Sequence, residues 1–265
     1  MNFSIFQASR IGGRKYNQDR VAYAYSNEAL LLVLADGMGG HLHGEVAAQT
    51  AIHVYMQAFA QVAKPLIPKP EVFLSEVMGN AHHTIIKYAR DHQLGGNPGT
   101  TCVAAVVQEG QVWWAHAGDS RLYLIRDKEI AALTHDHSMV QQWADWGVIS
   151  QEETKIHPDR NKITNCLGGV EDMFYAEPGS TALPLRQGDE LLLCSDGLWS
   201  PLADSEIAAA MSHASLEVGL DQLMSEAIYR EGASADNTTV IAARIGDSEE
   251  AHTTEEAVCM VLEYR

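Results

Sequence analysis

The sequence predicts an α+β fold, because its strand-like segments cluster, a pair of helical segments follows, and further strand-like segments come after that pair. Two of the reversals between strands are only a few residues long. The stretch "VVQEGQVWW" is typical of a hairpin around Glu109-Gly110, and "YLIRDKEIAAL" of another around Asp127-Lys128. Such tight reversals indicate antiparallel pairing, since parallel strands need long crossover connections.

Short runs of β-branched, aromatic and aliphatic residues predict the strands. These runs are Phe3 to Ala8, Val21 to Tyr25, Leu30 to Ala35, Thr101 to Val107, Gln111 to Ala117, Leu122 to Ile125, Glu190 to Cys194 and Thr239 to Arg244. Apolar residues at three-to-four spacing predict the helices. These segments are Glu45 to Val62, Glu71 to His92, Ser138 to Trp146 and Leu216 to Tyr229.

Two segments lack a clear period. Gly147 to Gly169 is polar and contains Pro158, and a stretch of that length beside a core is typical of a lid or a binding loop. The residues after Arg244 are acidic at first and then mildly apolar, which is consistent with either a loose tail or a terminal helix. We therefore expect one domain over residues 1–245 and a C-terminal tail of unassigned role over residues 246–265.

Charge and composition exclude several classes of protein. Lys plus Arg number 18 against 35 for Asp plus Glu, a formal net charge of −17, whereas nucleic acids and anionic membrane surfaces select basic patches. The four cysteines are scattered without CxxC spacing, which argues against a zinc site or a disulfide framework. No signal peptide and no apolar run of membrane-spanning length is evident. We expect a cytoplasmic protein that binds neither nucleic acid nor membrane.

Four aspartates stand at the ends of predicted strands. The apolar run of "ELLLCSDGLWS" leads into Asp196, "LLLVLADGMGG" leads into Asp36, "VWWAHAGDSR" leads into Asp119, and Asp236 precedes the run in "SADNTTVIAAR". Asp-Gly pairs are ordinary turn residues, so each aspartate taken alone is better explained as part of a turn. If the strand ends converge, however, four bare carboxylates repel one another unless a cation lies between them.

Ligation by oxygen alone indicates a hard cation, Mg²⁺ or Mn²⁺. The glycine after Asp36, Gly37, would let the backbone approach the ion closely and offer its carbonyl. Two such ions a few ångströms apart can bridge a hydroxide and hold it for in-line attack on phosphorus. Arg14, in "GGRKYNQDR", supplies a planar guanidinium that suits phosphate oxygens, although an arginine taken alone is more often a surface residue.

In eight stretches the sequence resembles the metal-dependent protein phosphatases of the PPM or PP2C type, in their compact bacterial form. The matching stretches, in order, are "RKYNQDR", "ADGMGGHLHGE", "GTT", "AGDSRLYL", "LTHDHS", "HPDRNKITNCLG", "LLLCSDGLW" and "DNTTV". They span residues 14 to 240, nearly the whole chain.

The resemblance implies a four-layer αββα sandwich, in which two antiparallel sheets pack together and a helical pair lies outside each sheet. It also implies hydrolysis of phosphoserine and phosphothreonine in proteins with two catalytic Mn²⁺ or Mg²⁺ ions. The expected substrates are phosphoproteins, in opposition to a bacterial Ser/Thr kinase acting on the same targets, and we expect a monomer.

Roles for single residues follow from the same resemblance. Asp36 is expected to bridge both catalytic ions, Gly37 to give its carbonyl to one, and Asp196 and Asp236 to bind the other. Asp119 is expected to share a third, weaker ion with Asp196.

Further residues of the matching stretches are expected around the ions. Arg14 would bind the substrate phosphate, and residues 147–165 would form a mobile flap near the substrate. Gln18, Asp19 and Asn237 are expected to support the ligands from behind.

The sequence departs from the family pattern at two positions. Gln18 replaces the glutamate of many members at a position that serves metal-bound water, so the neutral amide weakens one metal site slightly. Met38 stands where the animal enzymes place a histidine that is proposed as general acid, and His41 is the nearest histidine in this stretch. Two proton donors for the leaving oxygen therefore remain as alternatives, His41 and metal-bound water.

Other conspicuous residues have simpler interpretations. His82 and His83 are adjacent on a predicted helix and are expected at the surface. His135 and His137 are expected to brace the turn before the next helix. The tryptophans, Trp199 among them, are expected to pack in the core or at its rim.

Two other functions remain as alternatives. One is a phosphatase dedicated to a single regulator in a partner-switching pathway. The other is a catalytically weak phosphoprotein-binding regulator with the same fold, for which loss of metal ligands would be the signature. Asp36, Asp196 and Asp236 are all present, and only Gln18 favours that second alternative.

Overall fold

A computed structural model describes residues 2–38, 43–94, 96–169, 174–179, 182–246 and 258–262. The strands, in chain order, are β1 Phe3–Arg10, β2 Arg20–Tyr25, β3 Ala29–Ala35, β4 Gly99–Thr100, β5 Cys102–Gln108, β6 Gln111–Ala117, β7 Arg121–Arg126, β8 Glu129–Leu133, β9 Leu167–Gly168, β10 Glu177–Pro178, β11 Leu183–Pro184, β12 Glu190–Cys194, β13 Thr238–Ile245 and β14 Val258–Val261. The helices are α1 Gly44–Val62, α2 Pro70–Asp91, α3 Met139–Asp145, α4 Gln151–Thr154, α5 Asp196–Trp199, α6 Asp204–Met211 and α7 Leu216–Glu231.

Two large antiparallel sheets form the centre of the molecule. The first has the strand order β1-β13-β12-β7-β8, and the second the order β10-β6-β5-β3-β2-β14 with β11 also paired to β6. Short β4 and β9 form a separate antiparallel pair. The two hairpins expected from the sequence, β5–β6 and β7–β8, are both present.

Three apolar clusters define four layers. One cluster joins the second sheet to α1 and α2, another joins the first sheet to α6 and α7, and the third lies between the two sheets. The αββα sandwich of two antiparallel sheets with flanking helical pairs, predicted from the sequence, is confirmed.

Strand β3 shows why the central strands are apolar without interruption. Leu31 and Val33 pack towards α1 and α2, whereas Leu30, Leu32 and Leu34 pack between the sheets. Because successive side chains of a strand point to opposite faces, a strand covered on both faces buries every residue. Burial of each large aliphatic side chain contributes about 1.5–3 kcal/mol of transfer free energy.

The strand register brings the predicted site residues to one edge of the sandwich. In the second sheet, the end of β3 lies beside the start of β5, which pairs with the end of β6. In the first sheet, the end of β12 lies beside the start of β13 and the start of β7. The short turn of residues 118–120 leads from β6 in one sheet directly to β7 in the other, so these strand ends meet.

Two expectations from the sequence were wrong. The C-terminal tail was expected as a loose segment or a helix, but Val258–Val261 forms β14, which pairs antiparallel with the outer edge of β2. His82 was expected at the surface, but it is buried, accepts a hydrogen bond from the Gly168 backbone N–H at 3.1 Å and stacks on Phe174. The tail pairs with β2 because an edge strand offers unpaired backbone groups. His82 is buried because other segments of the chain pack on its face of the helix.

The polar segment of residues 147–169 contains one short helix, α4, that periodicity did not reveal. Ser150 and Glu153 form a reciprocal capping box at its start, which satisfies two backbone donors.

Asp204 and Glu206 lie in the first turn of α6, and the Glu206 carboxylate accepts from the Ala203 backbone N–H. Among the described residues, no helix combines the length and apolar character needed to cross a bilayer.

Candidate metal centre

Asp36 follows β3 and lines a cavity of about 580 Å³. Its backbone is fixed on both sides by Thr101, because the Asp36 N–H donates to Thr101 Oγ1 at 3.0 Å and the Thr101 N–H donates to the Asp36 carbonyl at 2.8 Å. The Thr100 hydroxyl donates to the same carbonyl at 2.9 Å. The main chain of Asp36 is therefore held in place while its carboxylate is exposed to the cavity.

Gly37 lies where only glycine fits. A Cβ atom at this position would stand 2.5 Å from the backbone of Gly44 and 2.7 Å from the carbonyl oxygen of Gln18. Three backbone segments pack closely here, so a side chain at position 37 would collide with the other two.

Asp119 is buried in the turn that joins the two sheets. The preceding residue, Gly118, has φ +107° and exchanges two hydrogen bonds with His137: its N–H donates to Nδ1 at 3.1 Å, and its carbonyl accepts from the His137 backbone N–H at 3.0 Å. On the other side, the Trp199 indole N–H donates to the Asp119 carbonyl at 2.9 Å. Asp119 is thus fixed from both directions.

Asp196 begins α5, a helix of a single turn that follows β12. Its carbonyl accepts from the Ser200 backbone N–H at 2.9 Å, and buried Leu198 anchors the turn in the core against α6 and α7. The Oδ1 atom of Asp196 is buried and has no hydrogen-bond partner. An unsatisfied buried carboxylate oxygen is unusual and requires an explanation.

Asp236 and Asn237 stand immediately before β13. The Asn237 side chain accepts from the Gln18 backbone N–H at 2.8 Å and donates to the carbonyls of Ile11 and Tyr16 at 2.9 and 3.0 Å. It therefore secures the loop that carries Arg14. The Arg14 guanidinium donates to Asp236 Oδ2 at 2.5 Å, so Arg14 lies at the rim of the cavity in contact with a predicted ligand.

Asp19 and Gln18 lie next to the four aspartates, and Gln18 lines the same cavity. Asp19 is fully buried, its Oδ2 accepts from the Ser195 hydroxyl at 2.8 Å, and its Oδ1 has no hydrogen-bond partner. The Gln18 side-chain amide donates to Glu45 at 3.2 Å. His41, considered from the sequence as a proton donor, lies outside the described residues.

The aspartates affect one another electrostatically. Burial, followed by repulsion from Asp19 and Asp196, holds the pKa of Asp36 well above its ordinary value. Burial, followed by repulsion from Asp119 and Asp236, does the same to the pKa of Asp196. Burial and the nearby carboxylates raise the pKa of Asp119 from 3.8 to about 7, and burial also raises that of Asp19.

A divalent cation fits this set of residues. The candidate donors are all oxygen atoms. The Oδ1 atoms of Asp196 and of neighbouring Asp19 are buried without partners, and burial followed by mutual repulsion raises the pKa of the carboxyls. A hard cation such as Mg²⁺ or Mn²⁺ removes each of these penalties together.

The cavity gathers nearly all the residues predicted from the sequence. Arg14, Gln18, Asp36, Gly37, Asp119, Asp196, Asp236 and Asn237 line it, and Asp19 lies buried behind Ser195. Residues of the expected flap line it as well: Asn161, Ile163, Thr164 and Asn165. Sequence reasoning missed the hydrogen bond from Trp199 to Asp119. It expected His137 to brace the turn before the next helix, but His137 also bonds to Gly118 in the Asp119 turn, and both contacts join residues distant in the chain.

His116, His137 and Glu177 form a second group in which one nitrogen or oxygen atom of each lies within 4.8 Å of the others. The two imidazole rings stack with centroids 4.5 Å apart and planes 12° apart. Imidazole lone pairs lie in the ring plane, so two nearly parallel stacked rings do not direct them at one ion. His137 accepts at Nδ1 from Gly118 and donates from Nε2 to Glu177 at 2.9 Å, and burial lowers the pKa of both histidines. We interpret this group as a hydrogen-bonded support of the Asp119 turn.

Carboxylates clustered in an open cavity with an arginine at its rim are typical of metal-dependent phosphoester hydrolases. Comparison with known proteins gives a more specific result. The sequence pattern of the family described as Protein phosphatase 2C matches residues 6–229. The chain belongs to the protein phosphatase 2C family.

Individual relatives are similar over nearly the whole chain. The serine/threonine phosphatase stp of Listeria innocua is 32% identical over 239 residues, which cover 89% of this chain and 93% of that protein. The crystal structure of the serine/threonine phosphatase Stp1 from Staphylococcus aureus matches with a TM-score of 0.84 and 34% identity, over 92% of this chain and 96% of that one. The catalytic domain of the serine/threonine protein phosphatase PstP, in complex with two manganese ions, matches with a TM-score of 0.73 and 29% identity, over 92% of this chain and 99% of that one.

Proposed function

We propose that this protein hydrolyses phosphoserine and phosphothreonine in phosphoproteins, in a reaction that depends on Mn²⁺ or Mg²⁺. The observation that carries the proposal is the buried, unpartnered Oδ1 of Asp196, which belongs to a group of carboxyls whose pKa values are raised by burial and then by mutual repulsion. Family membership and the names of the relatives support the same activity.

In this proposal the ligands are those expected from the sequence. Asp36 would bridge two catalytic ions, the carbonyl of Gly37 would add to one of them, and Asp196 and Asp236 would hold the other. Asp119 would share a third ion with Asp196. The similar PstP catalytic domain is in complex with two manganese ions, which supports a divalent metal for this chain as well.

Ions held by these residues would supply an activated water for attack on phosphorus and would neutralise charge on the phosphoryl oxygens. Arg14 contributes the protein's own positive charge at the rim, where its planar guanidinium donates two parallel hydrogen bonds to phosphate. The residues beside the ligands would orient them, namely Gln18, Asp19 and Asn237. Asn237 fixes the loop that carries Arg14, and the Ser195 hydroxyl holds the carboxylate of Asp19. Catalysis by positioning and charge stabilisation is what phosphoryl transfer requires.

The partners in this proposal are a Ser/Thr kinase and the proteins it phosphorylates. We further propose a cytoplasmic monomer, in which residues 147–165 act as a mobile flap beside the substrate and residues 1–245 are the catalytic domain. The relatives are bacterial serine/threonine phosphatases, which supports opposition to a kinase of the same class.

Hydrolysis of a phosphothreonine peptide by purified protein tests the proposal. The wild type and Asp196→Asn are compared in EDTA, in Mg²⁺ and in Mn²⁺. We expect turnover that requires Mg²⁺ or Mn²⁺ and collapses in the variant. A folded wild type without turnover in either metal would instead favour a phosphoprotein-binding regulator.

Activity in EDTA that survives Asp196→Asn would place the reaction elsewhere in the molecule. Glu76→Gln, at an exposed acid of α2, serves as the matched control for loss of one carboxylate.

A further inference from the structure

Trp199 connects the two turns that carry Asp119 and Asp196. Asp196 is the first residue of α5 and Trp199 is the last, three residues later on the same helical turn. The Trp199 indole N–H donates to the Asp119 carbonyl at 2.9 Å. One side chain from the Asp196 turn therefore fixes the main chain of the Asp119 turn.

Arg121 holds the indole from its face. Its guanidinium carbon lies 3.6 Å from the centroid of the Trp199 ring. Arg121 is itself fixed by buried Asp136, which accepts two hydrogen bonds at 2.9 and 2.7 Å, and it donates to the Tyr123 hydroxyl at 3.1 Å. A bidentate pair of this kind leaves the guanidinium little freedom, so the ring stacked on it has a fixed position.

Trp199 contacts the same chain segment twice, once through Asp119 and once through Arg121. Asp119 and Arg121 are two residues apart in one chain segment and hold the indole from its edge and from its face, respectively. This arrangement fixes both the distance and the angle between the 118–121 turn and α5. The carboxylates of Asp119 and Asp196 repel each other: after burial, Asp119 is the largest of the causes that raise the pKa of Asp196. The contacts of Trp199 hold the two turns together in spite of this repulsion.

We propose that Trp199 is a positioning residue that holds Asp119 at the separation from Asp196 that a shared divalent cation requires. The inference rests on the proposed function, in which these two aspartates share an ion. It predicts that the indole N–H controls the affinity for that one ion, and that it leaves the rate at saturating metal nearly unchanged.

The test is Mn²⁺ binding to the full chain, measured by titration calorimetry and by the electron paramagnetic resonance signal of free Mn²⁺. Trp199→Phe keeps an aromatic ring against Arg121 and removes the N–H donor. Loss of one hydrogen bond should weaken the weakest Mn²⁺ site by about five- to tenfold. The tighter sites should keep their affinity, and kcat should recover when Mn²⁺ is raised.

Trp113→Phe is the matched control, because this half-buried tryptophan of β6 packs on the core beneath α1 and α2. A double-mutant comparison separates positioning from general packing. Asp119→Asn should abolish the weakest site, and Trp199→Phe should have no further effect on binding in that background.

A Trp199→Phe isotherm that superimposes on the wild type would overturn the proposal, as would equal weakening of all sites. If Trp199→Phe fails to fold, β-(3-benzothienyl)alanine at position 199 replaces only the N–H by sulfur. The same Mn²⁺ titration then tests whether loss of the N–H weakens only the weakest site. The binding experiment needs no phosphatase activity, so failure of the proposed function and failure of this inference are distinguishable.

Discussion

Replacing Asp119 with asparagine removes a buried negative charge while nearly preserving the shape of the side chain. In the metal-free protein, the pKa of Asp119 is raised from 3.8 to about 7, chiefly by burial and then by Asp136. The folded state therefore binds the proton more tightly than the unfolded chain does. A group of this kind stabilises the fold at low pH, and that stability is lost as the pH rises through the folded-state pKa.

The magnitude follows from the two pKa values. Between pH 5 and pH 7, Asp119 is ionised in the unfolded chain and largely protonated in the folded protein. Each pH unit in that range corresponds to about 1.4 kcal/mol, so the wild type should lose about 2–3 kcal/mol of unfolding free energy from pH 5 to pH 8 through this group. Asp119→Asn should not lose this unfolding free energy as the pH rises. It also removes the repulsion of Asp119 on Asp196, which further favours the variant over the wild type at high pH.

Urea denaturation in EDTA at pH 5 and at pH 8 measures this difference. The stability of Asp119→Asn relative to the wild type should rise by about 2–3 kcal/mol from pH 5 to pH 8. Glu76→Gln, at an exposed acid of α2, controls for the change in net charge. Parallel pH dependences for the wild type and Asp119→Asn would refute the reasoning, because they would show that Asp119 ionises freely in the fold.

Three further substitutions test separate parts of the structure. Arg14→Ala should lower kcat/KM for a phosphothreonine peptide by about 10–100-fold through the loss of charge-assisted hydrogen bonds, with Mn²⁺ affinity retained; an unchanged kcat/KM would remove Arg14 from phosphate binding. Ser195→Ala should destabilise the protein by about 1–3 kcal/mol in urea, because the Ser195 hydroxyl donates to buried Asp19 and accepts from the Thr239 N–H; a neutral effect would mean that water replaces the hydroxyl. Leu192→Ala, in the core beneath α6 and α7, should destabilise by about 2–5 kcal/mol, and a change below 1 kcal/mol would show that this layer collapses around the gap.

The strand-end aspartates were predictable because their signal is local. An apolar run that ends on Asp36 or Asp196 is visible in the sequence, and antiparallel strands with short connections bring such ends to a common edge. The alternation within β3 likewise follows from burial on both faces. Local pattern is therefore enough to predict that these aspartates lie at one edge of the sandwich.

Contacts between distant segments were not predictable. Nothing near Trp199 in the sequence indicates that its indole bonds to a carbonyl 80 residues away. The burial of His82 depends on Gly168 and Phe174, which approach it only in the fold. The C-terminal strand β14 depends on the free edge of β2, because its four apolar residues are mostly exposed and do not form part of the core.

Mn²⁺ binding to the wild type and to Asp36→Asn tests the central claim, that the clustered aspartates form a divalent metal centre. Titration calorimetry of the metal-free wild type should show uptake of more than one Mn²⁺ ion. Asp36→Asn should lose the tight sites, because Asp36 is proposed to bridge both catalytic ions. Binding by Asp36→Asn that equals the wild type, or no binding by the folded wild type, would contradict the account.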